Sequence, residues 1–248
     1  MENSLPAGVE HIQRIVPNGL CDLIFYLKDR PESTRKNNSI VDSSLVSGQN
    51  NNYYDLKVTG DLSLFSILFQ PHGLSVFFDI PLIELLNQNV PLRYLLKDSV
   101  DKLEEKLFEA GGFEERIKIV ESFLLQRIQK SKKKYNFNRI ENCIHLINQA
   151  KGKITINELA SNACYSRKQF ERVFSGFTGI SPKRFLKIVR FQNTIYEKAV
   201  KPATNITELT YLCGYYDQSH MTNDFSKLSG MTPKQYFADC EPFSDYFQ

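Results

Sequence analysis

A helical unit written twice constrains this chain more tightly than any other feature. INELASNACYSRKQFERVFSGFTGISPKRF begins at Ile156, and ITELTYLCGYYDQSHMTNDFSKLSGMTPKQY begins at Ile206. Glu158-Leu159 and Glu208-Leu209 match at an offset of 50. After a one-residue slip, Phe170 pairs with Met221, Phe174 with Phe225, Phe177 with Leu228 and Gly179 with Gly230. Ser181-Pro182 then pairs with Thr232-Pro233, and Phe185 with Tyr236. Two copies are too few for a solenoid, so the pattern predicts a duplicated small helical module.

Each copy reads as a short helix, a tight turn and a second helix. Thr155-x-x-Glu158 and Asn205-x-x-Glu208 are capping boxes for the first helices. Ser166 and Asp217 are positioned to cap the second helices. Gly179 and Gly230 suit the left-handed residue after a helix end, and Pro182 and Pro233 the first turn of the next helix. This is the helix-turn-helix plan. Phe170, Val173, Phe174 and Phe177 share one face of the second helix of copy one; Lys168, Glu171, Arg172 and Ser175 share the other. In copy two, Met221, Phe225 and Leu228 point inward, and Gln218, Ser219, Thr222 and Asn223 outward. Arg, Lys, Gln and Asn carry donor–acceptor patterns that fit base edges in a major groove. The alternative for such a face is plain solvation.

The rest of the chain differs in character. VEHIQRIV, LCDLIFYL, SSLVSG, YYDLKVTG and DLSLFSILFQ, within residues 9–70, are short apolar or alternating runs that predict strands of a small barrel or sandwich. RPESTRKNNS and GQNNN read as loops. Helical spacing takes over in PLIELLNQ, LRYLLKDSVDKLEEKLFEA and FEERIKIVESFLLQRIQ. The basic run KSKKK at 130–134 reads as a linker, and seven short helices follow. The expected architecture is α+β and multidomain. Residues 1–129 form a β-rich sensor or dimerisation domain with trailing helices, 130–138 a basic linker, and 139–240 an all-α domain of two helix-turn-helix units joined by a long helix.

Charge follows the same division. Residues 127–248 hold 19 Lys+Arg against 10 Asp+Glu, a net +9, and residues 1–126 carry a net −6. A basic half suits a polyanion.

Residues 139–237 resemble the DNA-binding domain of AraC/XylS-type transcription regulators. The likeness is carried by the two units, the helix between them, and GYYDQSHMTNDFSKLSGMTPKQYF, which is similar to that family's second-unit signature. Two positions depart from it: His220-Met221 follows the Gln-Ser pair where an aromatic is common, and Asn223 stands where Arg is frequent. The resemblance implies that Lys168, Glu171, Arg172, Gln218, Ser219 and Asn223 face bases. Arg167, Gln169, Lys183, Lys187, His220 and Lys234 are expected against phosphates. IVPNGLCDLIFYL, LFQPHGLSVFFDIP and LIELLNQNVPLRYLL resemble the family's sensor half, a degenerate cupin-like barrel that binds small effectors or dimerises. Double-stranded DNA is the expected partner, with RNA polymerase, a small-molecule effector and a second copy as further ones.

No catalytic residues, metal ligands or cofactors are expected. His11, His72, His145 and His220 lack HxH or HxxxH partners, and GxSxG, HExxH and phosphate-cradling Gly loops are absent from the sequence. His72, in QPHG, reads as a loop histidine before a ligand-binding one. The five cysteines are scattered without a CxxC and read as reduced thiols; Cys164 and Cys213 close the first helices of the two units and read as core fillers. No signal-peptide pattern opens the sequence and no run has membrane-spanning length, so a cytoplasmic protein is expected. Two other readings remain at this point: a cupin-type metal-dependent enzyme with an appended helical domain, and a protein interaction module with decayed DNA binding. The tail ADCEPFSDYFQ is expected to pack on the helical domain or to be disordered.

The charge division has a measurable consequence. Affinity for duplex DNA is expected to fall ten-fold or more between roughly 50 and 200 mM salt, because each phosphate neutralised releases counterions. Affinity that is flat over that range removes the electrostatic reading.

Overall fold

The structure of the protein is a computed structural model, which describes residues 2–4, 9–35, 40–96, 100–129, 135–240 and 243–247. Strands β1 (Glu2–Ser4), β2 (Glu10–Ile15), β3 (Cys21–Tyr26), β4 (Glu32–Ser33), β5 (Ser44–Ser47), β6 (Tyr54–Thr59) and β7 (Asp61–Phe69) come first. Helix α1 (Leu74–Phe77) and a 3-10 turn, Leu82–Leu85, precede β8 (Asn89–Pro91). The helices that follow are α2 (Leu92–Leu95), α3 (Val100–Glu109) and α4 (Phe113–Ile128). The C-terminal half holds α5 (Tyr135–Gln149), α6 (Ile156–Asn162), α7 (Arg167–Thr178), α8 (Pro182–Val200), α9 (Ile206–Leu212), α10 (Gln218–Ser229) and α11 (Pro233–Asp239).

The strands form two antiparallel sheets, ordered β1-β7-β3-β5-β8 and β2-β6-β4. The expected strands are present, but the sheets do not close into a barrel. β3 shows why the larger sheet is buried on both faces. Cys21, Leu23 and Phe25 point to one side, where they pack with Leu74, Leu103, Leu107 and Val120 of the helices. Ile24 and Tyr26 point to the other, where they meet Leu45, Val58 and Leu62 between the sheets.

PLIELLNQ, expected to be helical, yields only the 3-10 turn, because Pro81 and Asn87 bound it closely; Asn87 has φ 59°. RPESTRKNNS contributes the two-residue strand β4, and its residues 36–39 lie outside the described ones. The KSKKK stretch also lies outside them. α5 begins at Tyr135, inside the expected linker. The tail residues 243–247 pack on the C-terminal half: Ser244 donates to Oε1 of Gln192 at 2.8 Å, and Tyr246 to Oδ1 of Asn148 at 2.6 Å.

The repeat is reproduced in three dimensions. Both capping boxes form. Ser166 and Asp217 accept from the backbone N–H of Gln169 and His220. Gly179 and Gly230 adopt almost the same left-handed conformation, φ 77° and 76°. The turn inside each unit repeats one bond: Tyr165 N–H donates to Ala160 and Tyr215 N–H to Thr210. The one-residue slip is Tyr216, which stands 86% exposed beyond that turn. Cys164 corrects one expectation. It is exposed and left-handed at φ 54°, the counterpart of Gly214 at φ 76°, whereas buried Cys213 matches Ala163. The left-handed turn throws the Cys164 side chain outward, so only Cys213 is a core filler.

The two halves touch at repeat-related points. A Cβ on Gly179 would lie 2.7 Å from the Leu82 carbonyl, and one on Gly230 2.5 Å from the Tyr53 ring. Arg14 donates to the Ser229 carbonyl at 3.3 Å while holding Asp55 in a two-pronged ion pair. Buried Gln192 of α8 donates to the Pro17 carbonyl at 2.8 Å. His72 packs on the Phe137 ring at 4.8 Å and faces Glu141 of α5 at 3.7 Å. Burial holds its imidazole below the ordinary range, against the pull of Glu141.

Two glycines, one closing α7 and one inside it, give a paired test. Gly179→Ala places a side chain at positive φ and against a backbone carbonyl, so a loss of at least ~1–2 kcal/mol is expected, a drop of roughly 2–8 °C in unfolding midpoint. Gly176 is helical, and a Cβ added there would meet nothing within 4 Å; Gly176→Ala is expected to gain ~0.5–1 kcal/mol. Thermal unfolding by circular dichroism measures both, and equal effects would contradict the assigned contact.

Candidate nucleic-acid interface

α7 is amphipathic in the expected sense. Phe170 and Phe174 are fully buried, Val173 and Phe177 partly so, and Lys168, Gln169 and Arg172 are exposed. Phe170, Phe174 and Phe185 stack in series, with ring centroids 5.5 and 5.6 Å apart, which ties α7 to α8. On the outer face Glu171 is held by Arg167 at 3.1 Å, and Ser175 donates to the Glu171 carbonyl at 2.7 Å. Arg172 is exposed at the edge of a cleft of about 360 Å³, whose far wall is Ser75, Asp79 and Pro81 of the N-terminal half.

α10 repeats the arrangement with neutral side chains. Met221, Phe225 and Leu228 are buried; Gln218, Ser219 and Asn223 are exposed. Gln218 donates to Oγ1 of Thr207 at 2.6 Å, linking the start of α10 to α9. Phe225 lies edge-on to Phe191 of α8 at 4.8 Å.

The residues expected against phosphates are scattered. Arg167, Gln169, Lys183 and Lys234 are exposed. Lys187 and His220 are engaged elsewhere, around a residue that the sequence reading passed over. Asp224 is 2% exposed, accepts from Lys187 at 2.6 Å, and has His220 at 3.7 Å. The His220 ring also lies edge-on to Tyr215 at 5.3 Å. Burial, with Asp224 nearby, pushes the Tyr215 phenol far up. The signal for Asp224 was in the spacing: it falls three residues after Met221 and four before Leu228, on the inner stripe. A carboxylate at such a position needs a cation, and Lys187 supplies it.

In the N-terminal half, Oδ1 of Asp22 and Oε1 of Gln49 are buried acceptors without a hydrogen-bond donor among the described residues. Burial and the neighbouring Asp245 push the Asp22 carboxyl up to about 7. Among the described residues, no group of three His, Cys, Asp or Glu side chains could hold a metal ion. No described helix is long and apolar enough to cross a membrane.

Two family profiles match separate parts of the chain. Residues 159–239 match one described as a helix-turn-helix domain, and residues 2–91 match a domain of unknown function, DUF6597. A probable transcriptional regulator, LumQ of Photobacterium leiognathi, is 27% identical over 156 residues, covering 61% of this chain and 51% of that protein. An uncharacterised HTH-type transcriptional regulator, YdeC of Bacillus subtilis, is 28% identical over 119 residues, covering 48% and 40%. The chain thus spans about half the length, or less, of these curated relatives. ToxT of Vibrio cholerae has a solved structure that aligns over 99% of this chain and 100% of its own, at 11% identity and a TM-score of 0.48. With two capped units in one register, residues 159–239 are similar to the helix-turn-helix domain described by the matching profile, which spans both units.

Proposed function

We propose that the chain is a sequence-specific DNA-binding transcription regulator. The observation that carries this reading is the pair of like-capped helices, α7 and α10, both seated on α8, each with a polar outer face. Domain limits of 1–129 and 139–240 go with it. Lys168, Glu171 and Arg172 of α7, and Gln218, Ser219 and Asn223 of α10, are the base-facing set. Gln169, Lys183 and Lys234 remain the freest phosphate contacts, since Arg167 is paired with Glu171, and Lys187 and His220 are shared with Asp224.

The N-terminal half is proposed to sense a small effector or to dimerise, and to turn nothing over. Support for an effector lies in the unpartnered acceptors of Asp22 and Gln49, which suit a ligand carrying donors. RNA polymerase and a second copy of the chain are proposed further partners, and the cytoplasm the proposed location.

Base reading by Arg172 is tested by substitution. Its guanidinium can bond a guanine edge twice. Arg172→Ala is expected to cost ~1–3 kcal/mol on a duplex selected from random DNA, and to relax preference at about one base pair. Equal losses on selected and random duplexes would demote Arg172 to a phosphate contact.

The two-unit geometry is tested on the DNA. α8 has 19 residues, a length of about 28 Å. Successive major-groove faces on one side of a duplex lie ~34 Å apart. The width of the units or bending of the DNA closes the difference, so one chain spans two consecutive grooves. The operator is then expected to show two base-specific clusters about one turn apart, and five base pairs inserted between them turn one to the opposite side. Affinity is expected to fall to that of a single unit; unchanged affinity means that only one unit reads DNA.

A further inference from the structure

Between the start of α8, the C-terminal half of α10 and the loop before β6 lies a cleft of about 310 Å³. Lys183, Arg184, Lys187 and Lys227 line it from the C-terminal half, and Asn51 and Asn52 from the N-terminal half. Asp224 forms part of the floor and takes up one of the four cations, Lys187. Lys183, Arg184 and Lys227 have no carboxylate partner among the described residues. Arg184 reaches only the Asn51 carbonyl, at 3.5 Å. Leu228 is the one apolar side chain in the lining.

Three unneutralised cations gathered around one polar cleft repel one another and favour an anion between them. At ~30 Å³ per water the cleft holds about ten waters, and it sits at the lower end of the range for small-ligand sites. A long apolar ligand has too little apolar wall here. A single oxyanion leaves positive charge over. Of the residues read as base-facing, Asn223 lies one turn before Lys227 on α10, and the others lie farther off. Lys227 is nine residues beyond Gln218, ~13 Å along the helix, at the end where Tyr53 covers Gly230.

We infer that this cleft binds a compact small molecule carrying two or more oxyanion groups, phosphate or carboxylate, held by Lys183, Arg184 and Lys227 and closed over by Asn51 and Asn52. The site shares Lys183 with the phosphate-facing set of the DNA-binding reading. Because its walls come from both halves, the bound anion joins them, and anything that binds only the joined, folded arrangement stabilises it by mass action.

The test uses the full chain, with inorganic pyrophosphate and citrate as probes at constant ionic strength. Calorimetry is expected to give saturable binding with one site per chain. At a hundred-fold excess over Kd the unfolding midpoint should rise by ~5–10 °C. The Lys183→Ala/Lys227→Ala double variant should weaken binding at least ten-fold, and Lys183→Gln/Lys227→Gln should do the same where the alanine pair fails to fold. Lys102→Ala, on α3, should bind as the parent does. Two results overturn the proposal. One is a midpoint rise of the same size in the parent and the double variant, which marks general stabilisation by excluded anions. The other is no saturable binding of either probe; if the double variant then loses affinity equally on all duplexes, the cleft is a DNA backbone contact.

Discussion

From Phe191 to Ile195 helix α8 is buried on every side, and the arrangement of the C-terminal half depends on that burial. Phe185, Ile188, Val189, Phe191 and Ile195 are completely buried, but so are Asn193 and Thr194, with Gln192 nearly so. A helical stretch with no solvent face must satisfy its polar side chains inside the protein. Gln192 donates to Pro17 and accepts from Ser244; Thr194 donates to the Arg190 carbonyl; Glu197 is held by Lys151 and Lys201. These bonds require particular partners from the N-terminal half, the tail and the turn before α6. They fix the rotation of α8 about its own axis, which apolar packing alone would leave less defined. The aromatic rings then seat α7 and α10 on that axis.

The N-terminal half adds a second restraint at the far ends of the same two helices. Gly179 and Gly230 occupy equivalent places in the repeat, and each is covered from the N-terminal half, by Leu82 and by Tyr53. A glycine at either place serves two needs together: the left-handed turn that ends the helix and the close approach of the covering residue. The recognition helices are therefore held in the middle by α8 and at their C-terminal ends by the other half of the chain. Their N-terminal turns, which carry Lys168, Gln218 and Ser219, remain open to solvent.

What could be read from the sequence was whatever a short window encodes. The capping boxes, the closing glycines and both ends of α8 were legible because capping side chains and Pro or Gly act within four residues of themselves. The five main strands were legible from alternation. β1 and β8 were not, because three-residue strands exist only through their partners β7 and β5. Cys164 was misread because nothing nearby signals positive φ at a residue other than glycine; the aligned Gly214 was the one clue. The junction was invisible for the same reason. Tyr53 follows a run of asparagines that reads as a loop, and its contact with Gly230 spans 177 positions of chain. Asp224 lay between these extremes, since its place on the inner stripe was plain but its partner was not.

That buried carboxylate also separates the two units in character. The outer face of α7 carries Lys168 and Arg172, while that of α10 carries Gln218, Ser219 and Asn223, none of them charged. Asp224 lowers the positive field around α10 further, because it draws the Lys187 ammonium inward to 2.6 Å. Gln218 is already bonded to Thr207, so reading a base would require it to exchange or share that bond. On the DNA-binding reading, the first unit therefore supplies attraction that acts over several ångströms and on any sequence. The second supplies short-range hydrogen bonds that reward only a matching base edge. A weakly attracting second reader is useful only if the first delivers it to the right place. That delivery depends on the relation between the units, which α8 and the two covered glycines hold fixed.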